Sequence, residues 1–178
     1  MKFRIRTMMV VVGALSIGFM VVESTTRVYR ERCRIEADLH SMGAYYVGFD
    51  ESNTPSWVSF VAPMSLERIG GFGSFESLDF SGAKITDESL SGVASLKHIR
   101  ILHLTHCKVT DTQLQILAGI GSIAVLRLNG SPITDEAIPA IASIQGLMSL
   151  DVSDTLITSA GLEELKKQRP DIVVCSLW

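Results

Sequence analysis

The chain has 178 residues, of which 47% are hydrophobic, and its net charge of −3 is unevenly distributed. Residues 1–34 hold seven basic and two acidic side chains (+5), whereas residues 35–178 hold nine basic and seventeen acidic ones (−8). A phosphate backbone requires clustered lysine and arginine, so the acidic main part excludes a nucleic-acid partner. The three cysteines, Cys33, Cys107 and Cys175, are too few and too far apart to indicate a disulfide framework or a zinc ribbon, and they leave the redox state open.

The N-terminal segment predicts a membrane anchor. Residues 1–6 form a basic tail, and the sixteen residues 7–22 that follow carry no charge. A helix of that length reaches about 24 Å, which is shorter than the ~30 Å hydrocarbon core of a bilayer. Hydroxyl side chains at 24–26 can occupy the interface and lengthen the span, so we predict a single-pass transmembrane helix at 7–26.

Two other interpretations of this segment stay open, a buried soluble helix and a cleaved signal peptide that would leave the body secreted or periplasmic. Three basic residues precede the apolar stretch and four follow it, so the positive-inside rule hardly distinguishes the two membrane orientations. The short basic tail favours a cytoplasmic N-terminus, which places the body on the non-cytoplasmic side of the membrane.

Residues 27–60 predict a juxtamembrane helix followed by a β-rich linker. Val28, Ile35, Leu39 and Met42 recur at helical spacing from about residue 25 onward. Two β-rich pieces then flank the turn-forming sequence "DESNTP". They indicate a hairpin or a strand that covers the first repeat of the segment described next.

The remainder of the chain is organised by a short phrase that returns every 24 residues. It reads "ITD" at 85–87, "VTD" at 109–111, "ITD" at 133–135 and "ITS" at 157–159. Aligning the copies gives four frames in which apolar residues fall into columns. The frames begin at Phe75, Ile99, Ile123 and Leu147, and the best-matched column is Leu78, Leu102, Leu126 and Leu150.

This pattern resembles the leucine-rich repeat, L-x-x-L-x-L-x-x-N/C-x-L. "IRILHLTHCKV" from Ile99 matches every position and has Cys107 at the N/C site, where the other frames have Ala83, Ser131 and Thr155. The resemblance covers residues 75–167. It implies an α/β solenoid of about four repeats, with short parallel strands on the concave side and helices on the convex side.

The two ends of the repeat array predict caps. Residues 61–74 align with the second half of a repeat, which indicates an N-terminal cap. Residues 168–178 predict a closing strand, with Pro170 breaking the 24-residue register. The layout of anchor, linker and repeats is similar to small bacterial membrane-anchored leucine-rich repeat proteins.

The recurring phrase itself predicts a structural role at the start of each helix. Its threonine suits the N-cap position, where the hydroxyl accepts from a free backbone N–H, and its aspartate complements the helix dipole. "TDTQ" at 110–113 also fits a capping box. The residues assigned to this role are Thr86, Asp87, Thr110, Asp111, Thr134, Asp135 and Thr158.

The outward strand positions upstream of the phrase are the candidate binding residues. One column, Asp79–His103–Arg127–Asp151, places opposite charges on neighbouring strands. We predict a strip on the concave face that binds a protein or peptide of unknown identity. Its members are Asp79, Ser81, Ile101, His103, Thr105, Val125, Arg127, Asn129, Asp151 and Ser153. The alternative is a solvated sheet in a scaffold protein that has no concave-face ligand.

Catalytic and metal chemistry are weakly indicated. "HLTHC" at 103–107 holds the residue types of a metal site, but His103 is expected to face outward while Cys107 turns into the core. A His103, His106 and Cys107 metal protein is therefore the least favoured alternative. We find no G-x-S-x-G, P-loop or H-E-x-x-H motif, and we expect neither catalysis nor a cofactor, a metal or a small-molecule substrate.

Overall fold

A computed structural model describes residues 5–60, 66, 68–120 and 123–176, with side chains described at residue 20 and from residue 23 onward. The chain divides into two compact units, one up to Ala37 and one from Asp38. The described part of the first unit is helical, and the second unit contains the sheet.

Helix α1, Ile5–Ser41, contains both the predicted span at 7–26 and the predicted helix that follows it. Arg32 Nε donates to Glu36 Oε1 at 3.3 Å, one turn further along the helix. The basic tail 1–6 falls partly, and the side chains of the predicted span largely, outside the described residues. Within the described part of the chain, no helix is both long enough and apolar enough to cross a membrane.

The second unit begins with a hairpin that covers the first repeat. Strands β1, Ala44–Phe49, and β2, Pro55–Phe60, pair antiparallel. Asp50 closes the turn between them, because its Oδ1 accepts from the N–H groups of both Ser52 and Thr54 at 2.9 Å. Strand β2 then pairs with the next strand in parallel, so the hairpin is the start of the main sheet.

Strands and helices alternate through the repeats. Their bounds are β3 Ser74–Asp79, α2 Asp87–Ala94, β4 His98–His103, α3 Asp111–Leu117, β5 Ile123–Arg127, α4 Ile138–Ser143, β6 Ser149–Asp151, α5 Ser159–Gln168 and β7 Val173–Cys175. A 3₁₀ turn at Asp135–Ala137 leads into α4. The seven strands form one sheet in sequence order, and every pair from β2 onward is parallel.

The sheet register follows the 24-residue period, including its last strand. Leu102 pairs with Leu78 and Leu126, and Leu150 pairs with Val174 of β7. The prediction that Pro170 breaks the register is therefore wrong. Pro170 lies between α5 and β7, where no ladder hydrogen bond needs its missing N–H, so the chain reaches β7 in step with the earlier repeats.

The core is built from the inward strand positions and the apolar side of each helix. Leu78, Leu102, Leu126 and Leu150 are completely buried. At the N-terminal end Phe60 of the hairpin stacks on Phe80, with ring centroids 4.8 Å apart. In the predicted cap 61–74, residues 61–65 and 67 lie outside the described residues, while Leu66 and Ile69 are buried and a 3₁₀ helix spans Ile69–Phe72.

The column of small residues links one coil to the one before it. Cys107 Sγ donates to the carbonyl of Phe80 at 3.0 Å, and Ser131 Oγ donates to the carbonyls of Cys107 at 2.7 Å and Leu104 at 3.3 Å. A thiol and a hydroxyl thus satisfy carbonyl groups of the preceding coil at the N/C site of the repeat.

Each threonine of the recurring phrase is the N-cap residue of its helical segment. Thr86 accepts from the N–H of Ser89, Thr134 from that of Glu136 and Thr158 from that of Gly161. Thr110 accepts from Gln113, whose side chain in turn accepts from the Thr110 N–H, so this copy is a complete capping box.

The aspartate of the phrase also clamps the coil that follows, which the sequence analysis missed. Asp111 accepts from both the N–H and the hydroxyl of Thr134, each at 2.8 Å. Asp135 does the same for Thr158, at 2.8 and 2.7 Å. Gly161 leaves room for this contact, since a Cβ there would lie 2.1 Å from Asp135 Oδ1. The aspartates therefore join successive coils.

Arg169 fastens the last helix to the preceding coil. Its guanidinium donates to the carbonyls of Ala142, Ile144 and Leu147, each at 3.1 Å, where α4 ends. Asp171 holds the guanidinium with two further hydrogen bonds of 2.9 and 2.8 Å. This pairing raises the pKa of Arg169 and lowers the pKa of Asp171.

The clamp predicts a stability difference between two equivalent aspartates. Asp111→Ala removes the acceptor for two donors of Thr134 and should lower the free energy of unfolding by ~1–3 kcal/mol. Asp87→Ala, at the same repeat position, loses only the exposed Gln113 side-chain amide at 2.7 Å, and should lower it by less than ~1 kcal/mol. Both variants lose a helix-start charge, so the difference in urea denaturation isolates the clamp. Equal losses would contradict it.

Candidate functional site

The sheet face opposite the buried leucines carries three columns of side chains in the 24-residue register. We call these residues the open sheet face. The first column is Trp57, Ser77, Ile101, Val125, Ser149 and Val173, and the middle column is Ser59, Asp79, His103, Arg127, Asp151 and Cys175. The third column, Ser81, Thr105, Asn129 and Ser153, follows the strand ends, where coil-to-coil backbone hydrogen bonds continue the register.

All ten candidate binding residues from the sequence analysis lie on this face. Neighbours within a column sit on adjacent strands, which are about 4.8 Å apart. Ile101 and Val125 are half-buried beside the charged middle column, while Arg127 is exposed. Thr105 and Asn129 of the third column contact each other, because the threonine hydroxyl donates to Asn129 Oδ1 at 2.8 Å.

The charged side chains of the middle column do not pair with one another. Asp79 Oδ1 accepts from the N–H of Ser81 at 2.9 Å, and Asp151 Oδ1 accepts from the N–H and hydroxyl of Ser153 at 3.1 and 2.7 Å. Among the residues that the structure describes, no ion pair within 4.0 Å involves Asp79, Arg127 or Asp151. The carboxylates are oriented by their own strand ends, and the Arg127 guanidinium remains available to a partner.

His103 lies between Asp79 and Arg127 on the adjacent strands. Partial burial lowers its pKa below the ordinary 6.5, and the positive charge of Arg127 lowers it further, while Asp79 opposes both effects. The imidazole is therefore mainly neutral at pH 7, and the column reads negative, neutral, positive, negative along four strands.

Two aromatic residues of the hairpin also belong to this face, and the sequence analysis did not single them out. Trp57 begins the first column, next to Ser77, and Tyr46 contacts it edge-to-face with ring centroids 6.2 Å apart. Each is 52% exposed. Both residues belong to the two β-rich pieces that the sequence predicts in the linker. Only the strand pairing shows that their side chains extend the columns of the repeats.

The three residues of the alternative metal site point in different directions. His103 lies on the open sheet face, and His106 sits in the turn after β4 with its ring against Gly130. Cys107 is fully buried and donates to a backbone carbonyl, and burial raises the pKa of its thiol to about 11. Within the described ranges no group of three His, Cys, Asp or Glu side chains is placed to hold a metal ion.

Comparison with known protein families identifies the repeat. Residues 74–94 and 95–112 match the family model described as leucine-rich repeat. The matched stretches include β3, α2, β4 and the start of α3, and the same register continues to β7. A search of curated proteins finds no match. Residues 74–112 are therefore similar to leucine-rich repeats, and the alternating strands and helices of the described chain fit an α/β solenoid.

The electrostatics of the middle column predict how His103 titrates. Its pKa should be below 6.5 in the intact chain, and Arg127→Gln should raise it because a repelling positive charge is lost. Asp79→Asn should lower it, since the only attracting charge among these neighbours is removed. Imidazole NMR signals followed from pH 4 to 8 measure all three values. Identical titrations in the three proteins would show that the column is not electrostatically coupled.

Proposed function

We propose that the chain is a non-catalytic interaction module that binds a protein or peptide through the open sheet face. The observation that carries this proposal is the middle column, where charged side chains on β3, β5 and β6 form no ion pair with one another in the described part of the chain. Leucine-rich repeats generally act as protein-binding modules, which agrees with this assignment.

The arrangement favours selective recognition of a short segment. A partner whose charges have the complementary order would be attracted to the charges of the middle column. A partner with another order would meet like charges and be repelled. The apolar Ile101 and Val125 in the neighbouring column add surface that loses water on contact. Strands β2 to β7 span about 24 Å at 4.8 Å per strand, which suits an extended peptide or a protein loop.

A charge exchange that leaves the net charge unchanged tests the proposed face. Asp79→Lys combined with Arg127→Glu exchanges two charges of the middle column, whereas Glu163→Lys combined with Lys166→Glu makes the same exchange on α5, where both residues are exposed. Proximity labelling in the native cell should lose its main protein targets with the first variant and keep them with the second. Thermal unfolding of both variants checks that the fold is intact.

An unchanged set of labelled proteins in the first variant would contradict binding through this face. It would favour the scaffold interpretation, in which the chain acts through its helices or its N-terminal helix. Loss of the same targets in both variants would also count against the face, because the effect would then be independent of where the charges lie.

We also propose that residues 7–26 anchor the chain in a membrane, with the repeats on the non-cytoplasmic side. The uncharged stretch 7–22 and the basic residues around it support this assignment. Full-length protein should stay in the membrane fraction during alkaline extraction, and a reporter active only outside the cytoplasm should work when fused to its C-terminus. Release of the protein by alkali would contradict the anchor.

A further inference from the structure

The N-terminal end of the open sheet face carries an uncovered aromatic pair. Trp57 and Tyr46 contact each other at an interplanar angle of 74°, and each leaves half of its surface exposed. Aromatic pairs across neighbouring strands stabilise a sheet, so the contact itself has a structural role. The half of each side chain that stays exposed is surface that a partner could contact.

Small residues surround the indole on both sides. Gly48 is opposite Trp57 on β1, and Ser77 is its partner on β3. Ser59, two residues along β2, is also small, and both serines are buried. A Cβ at Gly48 would lie 3.5 Å from both the Trp57 Cβ and the Tyr46 Cε1, so the glycine leaves space that the two aromatic residues flank. About half of each aromatic side chain remains exposed to solvent above these small residues.

A carboxylate borders this surface. Asp79 pairs with Ser59 in the sheet, which places it one strand over and two residues along from Trp57. Its Oδ1 accepts from the N–H of Ser81, and within the described residues Asp79 forms no ion pair. Diagonal neighbours of this kind in a sheet are about 7–8 Å apart, within the reach of one long side chain that touches both.

We propose that Tyr46, Trp57 and Asp79 bind a lysine or arginine side chain of the protein partner. The aliphatic stem and charged head would lie against the aromatic surface, and the head would reach the Asp79 carboxylate. The proposal rests on the proposed function for the choice of a protein partner, and it names the side chain that the N-terminal end of the open sheet face selects.

The chemistry of the three residues favours a cation over other side chains. Aromatic faces attract ammonium and guanidinium groups through the ring quadrupole, and tryptophan does so most strongly. The Asp79 carboxylate would repel an acidic side chain of the partner. A purely apolar side chain would bury this carboxylate without giving it a hydrogen-bond or ion-pair partner. The −8 charge of residues 35–178 adds a long-range attraction for a basic segment.

The test uses single side chains as probes, so it does not depend on knowing the partner. End-blocked tripeptides with a central lysine, arginine, leucine or glutamate are titrated into full-length protein in a non-ionic detergent. The indole N–H signals are followed by NMR, and Trp57→Phe assigns the signal, since the chain has two tryptophans. The lysine and arginine probes should shift the Trp57 signal saturably, while the leucine and glutamate probes should not.

Matched variants separate the site from the rest of the surface. Asp79→Asn keeps an oxygen acceptor for the Ser81 N–H and should weaken binding of the lysine probe about fivefold. Glu163→Gln removes one carboxylate charge in the same way on α5, away from the open sheet face, where the residue is exposed, and should leave binding unchanged. Trp57→Ala, followed on the Tyr46 amide signal, should abolish saturable binding.

Three outcomes would overturn the proposal: no saturable shift with either basic probe, an equal response to the leucine probe, or equal weakening by Asp79→Asn and Glu163→Gln. These results are distinguishable from failure of the proposed function. The charge exchange reports on protein partners in the cell, whereas the peptide titration reports only on whether the aromatic end of the open sheet face binds a cation.

Discussion

The first turn of each helix leaves backbone N–H groups without partners, and this chain satisfies some of them from the preceding coil. Asp111 and Asp135 each hold the N-cap threonine of the next coil by two hydrogen bonds. Because the acceptor is a carboxylate, these bonds belong to the stronger class. At Asp111 and Asp135 the phrase that begins one helical segment therefore also positions the next one along the chain.

A constant register has a direct consequence for the open sheet face. Residues 24 positions apart lie side by side on neighbouring strands. The side chains that are neighbours on this face therefore come from different repeats and not from adjacent positions in the sequence. The carboxylates of Asp79 and Asp151 accept hydrogen bonds from their own strand ends, and Arg127, between His103 and Asp151, forms no ion pair among the described residues. The aromatic pair extends the same face onto the hairpin, because β2 joins the parallel register. The same 24-residue repeat thus places both the buried leucine columns and the side-chain columns of the open sheet face.

Periodicity explains what could be predicted from the sequence. A repeated L-x-L with a following Thr is sufficient to identify strands, buried columns and N-caps, because each depends on residues close in the chain. The contacts that join coils were missed: Asp111 reaches a threonine 23 residues later, and Arg169 reaches carbonyls 22 to 27 residues earlier. Such contacts depend on how far apart stacked coils sit, which no local pattern contains.

The ends of the array were the least predictable parts for the same reason. Trp57 and Tyr46 join the face only through the register of a hairpin that is not itself a repeat. At the other end Pro170 suggested an interruption, yet the loop it occupies makes no ladder contact and β7 stays in step. The register there is set by the pairing of β7 with β6, which a rule for a single element does not include.

Site-specific photo-crosslinking shows whether partners contact the open sheet face, with a photoreactive phenylalanine in place of Ser149 on the face or of Lys166 on α5. We expect irradiation in the native cell to give a discrete crosslinked partner from position 149 and none from position 166. A partner captured from position 166 alone would contradict the account.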